Sequence, residues 1–334
     1  MRRVRLGFAG LRVDFVDRDL ALKLIEDWVG RGTGLPRVIY GPEGCGKTAW
    51  LLQSIELLRE FGFEVVYVNP VNRLALAEIS INSLKDEFLR LIKEAIAQNA
   101  LARIAWIAYN VVYDVIKATR GKIAVIVDDA FQVIGVKESA LYVKALLNLI
   151  EYPPEHYERI VTIAATSEGV SRREIGRHTW ANLRVMWNMP RDGFRQLYDQ
   201  LPGDKPPFEE VWKLTGGNPR ILERLYMRNW DVNEVINSLI REKGLSPDFV
   251  RRWAGHLREA VGDPDYLWFN APGELINELI ERNLITYFLP KRKPDYWVDT
   301  PPPEKDEELG IGKYVAWQTP IHREAVRRAL EEST

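Results

Sequence analysis

Gly41-Pro42-Glu43-Gly44-Cys45-Gly46-Lys47-Thr48 spells G-x-x-x-x-G-K-[ST], the pattern of a loop that wraps a chain of phosphates. Arg37-Val38-Ile39-Tyr40 precedes it, a short β-branched and aromatic stretch. Thr48 to Glu60 follows, apolar at Trp50, Leu51, Leu52, Ile55, Leu57 and Leu58. Strand, glycine-rich turn and helix is the setting the motif requires. Glycines let the backbone curl so that successive N–H groups and the next helix N-terminus converge on an anion. In that geometry Lys47 reaches the outer phosphates and the Thr48 hydroxyl ligates Mg²⁺, with Gly41 to Gly46 and Ala49 completing the cradle. The competing reading is a glycine-rich structural turn, which the flanking strand and helix disfavour.

The chain of 334 residues is too long for one ordinary core, so two or three domains are expected. Lys and Arg total 46 against 47 Asp and Glu, so no global charge draws the chain onto nucleic acid or an anionic membrane. Any nucleic-acid surface has to be a local patch. Cys45 is the one cysteine, which excludes an intramolecular disulfide and points to a reducing compartment. Inside the phosphate loop it reads as a small residue fitting a tight turn, ahead of an oxidation-sensitive switch. No apolar run suited to a signal peptide follows Arg5, and no stretch of roughly 18 apolar residues suits a membrane span. A cytoplasmic location is expected. The charge-rich, glutamine-poor composition has a thermophilic character.

Five short runs read as buried strands that each feed a helix: 37–40, Glu64–Asn69, Ile123–Asp128, Ile160–Thr166 and Arg184–Met189. Near-continuous apolar runs predict a sheet covered on both faces, and alternation with helices predicts parallel pairing through right-handed crossovers. Residues 84–119 read as helical with a break near Asn99. These elements define an α/β core over 1–190. Residues 191–265 show no strand candidate and read as three or four helices. Asp231 with Glu234, and Ser246 before Pro247, are helix-start signals there. Residues 266–334 read as helix Gly273–Asn283, strand Leu284–Leu289, a long exposed polar loop over 290–312, strand Tyr314–Gln318 and a closing helix His322–Glu332. Helix, strand, exposed loop and strand is the layout of a winged helix.

The third strand ends in Asp128-Asp129, and carboxylates at the C-terminal ends of parallel strands face the ligand crevice. Asp128 is placed to hold Mg²⁺ through water, and Asp129 to orient or deprotonate the attacking water. Paired acids after a strand also cap helices. Thr166-Ser167 ends the fourth strand, where a hydroxyl reaches the γ-phosphate or lytic water, or else caps a turn. Arg172, Arg173, Arg177, His178 and Arg184 follow against a lone Glu174. Arg177 is the candidate finger for charge on the transferring phosphoryl group, supplied within the chain or to a neighbouring subunit. At Gly216-Gly217-Asn218-Pro219-Arg220 two glycines allow close backbone approach, Pro219 opens the next helix, and Arg220 lies in its first turn, placed to sense the γ-phosphate.

Together these motifs resemble the AAA+-related P-loop ATPases, specifically the archaeal ATPases allied to the signal-transduction ATPases with numerous domains. The phosphate loop (Walker A), the Asp128-Asp129 pair (Walker B), the polar end of the fourth strand and the Gly-Gly-Asn-Pro-Arg hinge match in order and spacing. Phe15-Val16-Asp17-Arg18-Asp19 resembles the segment near the adenine in that group, and Ala316-Trp317-Gln318-Thr319-Pro320 its winged-helix end. The resemblance implies a parallel five-stranded sheet of order 5-1-4-3-2, a helical lid, ATP with Mg²⁺, and nucleotide contacts from Asp17, Arg18, Pro219 and Arg220. Asp129 stands where AAA+ proteins carry glutamate, which tilts the expectation from a fast motor to a slow ATPase switch. A nucleotide-gated DNA-binding protein is the alternative, resting on Lys291-Arg292-Lys293 with Tyr296 and Trp297 and on Arg251, Arg252, His256 and Arg258. The acidic run Glu304-Lys305-Asp306-Glu307-Glu308 opposes it. A homo-oligomer or a protein partner is the other expected associate. GTPases of the common type need an Asn-Lys-x-Asp segment, which this sequence lacks.

Overall fold

The computed structural model describes residues 3–167 and 169–333. It divides into two compact units, one of Asp19–Tyr40 and Lys47–Val185 with the N-terminal residues through Val4, the other of Arg5–Arg18, Gly41–Gly46 and Met186 onward. In chain order the strands among the described residues are β1 (Arg5–Phe8), β2 (Leu11–Asp14), β3 (Arg37–Tyr40), β4 (Glu64–Asn69), β5 (Leu74–Glu78), β6 (Lys122–Asp128), β7 (Arg159–Thr166), β8 (Asn182–Val185), β9 (Ile285–Tyr287) and β10 (Val315–Trp317).

The first unit is built on a six-stranded sheet ordered β5-β4-β6-β7-β3-β8. Neighbours pair in parallel except β4 with β5. β4, β6 and β7 are buried along almost their whole length, which is why their sequences show no polar alternation. Val66, Val68, Val125 and Val127 pack with Phe88, Ile92, Ile104, Val112 and Leu146 from the helices Asn82–Ala97, Leu101–Thr119 and Val136–Glu151. The helices Asp19–Arg31 and Lys47–Glu60 pack together and against the same sheet, with Trp50 Nε1 donating to the Ala21 carbonyl at 3.2 Å. Register matters for function: Asp128 lies beside Ala165, and Tyr40 beside Thr166. The strand that enters the phosphate loop and the two strands bearing polar ends therefore finish at the same end of the sheet.

Two expectations need correction here, and a third is met. The sheet has six strands, because β5 adds an antiparallel edge. Its sequence, Leu-Ala-Leu-Ala-Glu, is rich in helix formers and stays half-exposed, so pairing with β4 overrides local preference. The last strand is Asn182–Val185, shifted toward the N-terminus; Met186, Trp187 and Met189 are apolar because they are buried in the second unit, outside any ladder. The predicted break near Asn99 appears between Ala97 and Leu101, where Asn99 takes φ +53°.

The second unit joins the β1–β2 hairpin, which sequence patterning missed, to helices Arg191–Asp199, Phe208–Thr215, Pro219–Met227, Val232–Glu242 and Pro247–Gly262. That is five helices where three or four were expected. The hairpin supplies Phe8 and Val13 to a core with Met189, Phe194, Tyr198, Phe208 and Leu222. The start signals work as predicted, with Asp231 accepting from the Glu234 N–H and Ser246 from the Phe249 N–H. Beyond them lie the helix Gly273–Glu281, the antiparallel pair β9–β10 and the helix Pro320–Glu332. The Asp265 carboxylate accepts from the N–H groups of Lys313, Tyr314 and Val315, and Trp317 donates to the Ala260 carbonyl at 3.1 Å.

The expected exposed loop over 290–312 is exposed at 291, 293–296, 303–305 and 307–308 but anchored between these stretches. Trp297, Val298, Asp299, Leu309 and Ile311 are buried. Arg292 donates to the carbonyls of Pro290, Pro303 and Gly312, and Arg323 to those of Glu307 and Glu308. Arginine side chains thus satisfy backbone groups that no ladder reaches. Among the described residues no helix is long and apolar enough to cross a membrane.

Candidate nucleotide site

In the first unit the candidate side chains collect where β4, β6 and β7 end. Lys47 is the first residue of the helix Lys47–Glu60 and is 5% exposed. Thr48 Oγ1 donates to Asp128 Oδ2 at 2.7 Å. Asn69 Nδ2 and the Tyr67 hydroxyl donate to the same oxygen at 2.9 and 3.1 Å. Asp128 Oδ1 is fully buried and has no hydrogen-bond partner among the described residues. Burial, and then the Asp129 charge, push the Asp128 carboxyl up to about 6, against the pull of its three donors. Burial and the neighbouring Asp128 push the Tyr67 phenol up as well. A buried carboxylate oxygen lacking a donor, beside a threonine hydroxyl, fits a divalent cation completed by phosphates and water. Mg²⁺ suits such a partial protein ligand set, and no group of three His, Cys, Asp or Glu forms a full cage among the described residues.

Asp129 takes φ +48°, its N–H donates to the Ala165 carbonyl at 2.9 Å, and Ser167 Oγ donates to its Oδ1 at 3.2 Å. Ser167 thus supplies a hydroxyl to the candidate base, and Thr166 closes β7 fully buried. Arg177 lies past the helix Gly169–Ile175, pairs with Glu174 at 3.0 Å, and has a side chain 66% exposed. Sequence reasoning missed Tyr67 and Asn69. Asn69 left a signal, a polar residue closing the otherwise apolar run of β4.

The second unit holds Gly41–Gly46. Gly44 and Gly46 take φ +76° and +102°, a region that other residues enter at a cost. A Cβ on Gly44 would also meet Arg220 Cβ at 2.1 Å. Glu43 is held at three points. Its N–H donates to Gln318 Oε1 at 2.9 Å, its carbonyl accepts from Asn218 Nδ2 at 2.9 Å, and its carboxylate pairs with Lys243 at 2.8 Å. The Arg220 N–H donates to the Gly44 carbonyl at 3.3 Å, while its guanidinium pairs with Glu223 at 2.6 Å. Pro219 opens its helix as predicted, with Asn218 as the cap, accepting from the Ile221 N–H at 3.1 Å.

Arg18 is almost fully buried, and its guanidinium donates to the carbonyls of Cys45 and Trp187 at 2.6 and 2.9 Å and to Asp299 at 2.8 Å. Asp17, at φ +58°, packs so tightly on Gly193 that a Cβ there would meet its Oδ2 at 2.0 Å. Cys45 is buried with its Sγ 3.5 Å from the Met186 carbonyl, in line with a small residue filling a tight turn. Of the basic side chains considered for DNA, Arg251 pairs with Asp248, Arg252 with Glu274, and Arg292 with three carbonyls.

A family model described as an ATPase domain predominantly from Archaea matches residues 15–225. No curated protein matches the chain. Among solved structures, the Walker-type ATPase of Pyrococcus abyssi is similar at TM-score 0.51 and 13% identity, over 93% of this chain and 96% of that one. The Aeropyrum pernix ORC2 protein in ADPNP and ADP complexes aligns at TM-score 0.38 and 14% identity over 78% of each chain. AMPPCP-bound DnaA from Aquifex aeolicus aligns at 0.38 and 15% over 74% of each. At these identities the likeness concerns the fold alone, and only the first is close enough to bear on it. The family match, spanning the phosphate loop, the acidic end of β6 and the Asn218-Pro219 cap, places the protein in the archaeal P-loop ATPase family.

Proposed function

We propose that the protein is a slow, Mg²⁺-dependent ATPase acting as a nucleotide-driven conformational switch. The observation that carries this reading is the Thr48–Asp128 pair with its buried, donorless carboxylate oxygen. The motif Gly41–Thr48 supplies backbone N–H groups and the Lys47 ammonium to the phosphates. Thr48 and Asp128 would hold Mg²⁺, which supplies neutralisation of charge building on the transferring phosphoryl group. Asp129, steadied by Ser167, orients the attacking water or accepts its proton. Its side chain is one methylene shorter than glutamate, which argues for slow turnover. Arg177, exposed and paired with Glu174, stays a candidate finger, within the chain or toward a neighbouring subunit.

The moving half of the switch is the helical segment 191–265 acting as a lid through Pro219 and Arg220, followed by a winged-helix-like segment over 266–334. ATP shifts the lid only if it binds the two lid positions with different affinity. ATP binding measured with wild-type protein and Lys47→Ala tests the reading: the variant should lose binding, and equal affinity of the two proteins would remove it. ATP-gated DNA binding through the C-terminal segment is the alternative. The paired state of Arg251, Arg252 and Arg292 speaks against it, and absence of duplex binding at low salt would eliminate it.

A further inference from the structure

We propose that Gln318 is a positioning residue for nucleotide binding, seating the phosphate loop through the Glu43 peptide. The inference deepens the nucleotide reading and rests on it. Gln318 follows β10 directly and precedes the helix Pro320–Glu332. Its side-chain oxygen accepts from the Glu43 N–H at 2.9 Å, across 275 residues of sequence. Asn218 grips the other side of the same residue, donating Nδ2 to the Glu43 carbonyl at 2.9 Å. Asn188 joins the two grips: Asn218 Nδ2 donates to its Oδ1 at 2.8 Å, and its Nδ2 donates to the Gln318 carbonyl at 2.9 Å. All three amides are buried, at 3% exposure or less. A buried amide network this fully connected fixes one arrangement, because each broken link leaves a desolvated polar group.

The consequence lies in what Glu43 leads into. Gly44 and Gly46 carry positive φ and so have wide backbone freedom, yet the direction of their N–H groups decides how well they bind anions. Holding the preceding peptide at both its N–H and its residue's carbonyl removes part of that freedom before ligand arrives, and preorganisation of this kind raises affinity. The Gln318 N–H also donates to the Leu284 carbonyl at 2.9 Å, just before β9. Displacing the β9–β10 pair therefore draws Gln318 away from Glu43, and by reciprocity nucleotide occupancy favours a seated pair. A second tie acts on the same loop, since Asp299 holds the Arg18 guanidinium that donates to the Cys45 carbonyl.

The test is equilibrium binding of ATP, ADP and adenosine to the wild-type chain, Lys47→Ala, Gln318→Met and Gln318→Glu, with melting temperatures taken without ligand. Gln318→Met conserves volume and removes the acceptor; it should weaken ATP and ADP about five- to tenfold, the scale of one neutral hydrogen bond, and leave adenosine unchanged. Gln318→Glu keeps an acceptor in place and should bind ATP within about threefold of wild type, which also covers the case in which the Met variant fails to fold. Wild-type binding that depends on Lys47 but is unaffected by Gln318→Met, or equal losses for ATP and adenosine, would overturn the positioning role alone. No Lys47-dependent binding by the wild type would remove the nucleotide reading and this inference with it.

Discussion

Asp299→Asn keeps the size of the side chain and deletes one charge from a pair whose members are 2% and 3% exposed. At 2.8 Å the gross attraction is about 6 kcal/mol for an effective dielectric of ~20. An asparagine oxygen retains part of that as a hydrogen bond to the guanidinium. The remaining loss, about 3–4 kcal/mol, agrees with the ~3–5 kcal/mol seen when one partner of a buried pair is removed. For a cooperative unit of roughly 150–250 residues that lowers the melting temperature by about 6–16 °C. Scanning calorimetry on the wild type, Asp299→Asn, Arg18→Met and the double variant gives a complete cycle. Arg18 also serves the carbonyls of Cys45 and Trp187, so Arg18→Met alone is costly and the double variant recovers only part of the loss. The expected coupling is at least ~2 kcal/mol. Additive single losses, or an Asp299→Asn cost under ~1 kcal/mol, would refute the view that this pair clamps residues 290–312 to the phosphate loop.

Two further predictions concern protons. The Asp128 carboxyl sits near 6 when folded, above its unfolded value, so the folded state holds the proton more tightly and stability is lost as pH rises from about 4 to about 6. Asp128→Asn should then raise the ligand-free melting temperature at pH 8, by up to ~3 kcal/mol of stability, with the gap closing toward pH 4, while abolishing Mg²⁺-dependent turnover; melts across pH check this. His322 is buried against Thr319, and burial, with the charges of Lys243 and Arg224, lowers its imidazolium to about 3. The unfolded chain binds the proton first, so stability falls as pH drops from about 6.5 toward 3, and His322→Gln should flatten that acid limb in urea titrations at pH 7 and pH 4.

What the sequence disclosed was local. Gly41–Thr48, the apolar run ending in Asp128, and the caps Asp231 and Ser246 all work through neighbours a few residues away. What it concealed was long-range. Gln318 meets Glu43 across 275 residues, and Asp299 meets Arg18 across 281, so no periodicity or spacing announces either contact. The anchoring of 290–312 stayed hidden because arginines that hydrogen-bond backbone carbonyls look the same in sequence as solvated ones. Ser167 and Thr166 illustrate the limit at close quarters. Thr166 closes β7 and Ser167 follows it, and the backbone path past the strand is what brings the Ser167 hydroxyl to Asp129.

The central claim is that the acidic end of β6 turns a nucleotide-binding loop into a hydrolytic site. Release of inorganic phosphate from ATP, followed with and without Mg²⁺ for the wild type, Asp129→Asn and Lys47→Ala, tests it most directly. The account predicts slow turnover that requires Mg²⁺, ATP binding without turnover in Asp129→Asn, and neither in Lys47→Ala. Wild-type rates persisting in Asp129→Asn, or turnover indifferent to Lys47, would contradict it.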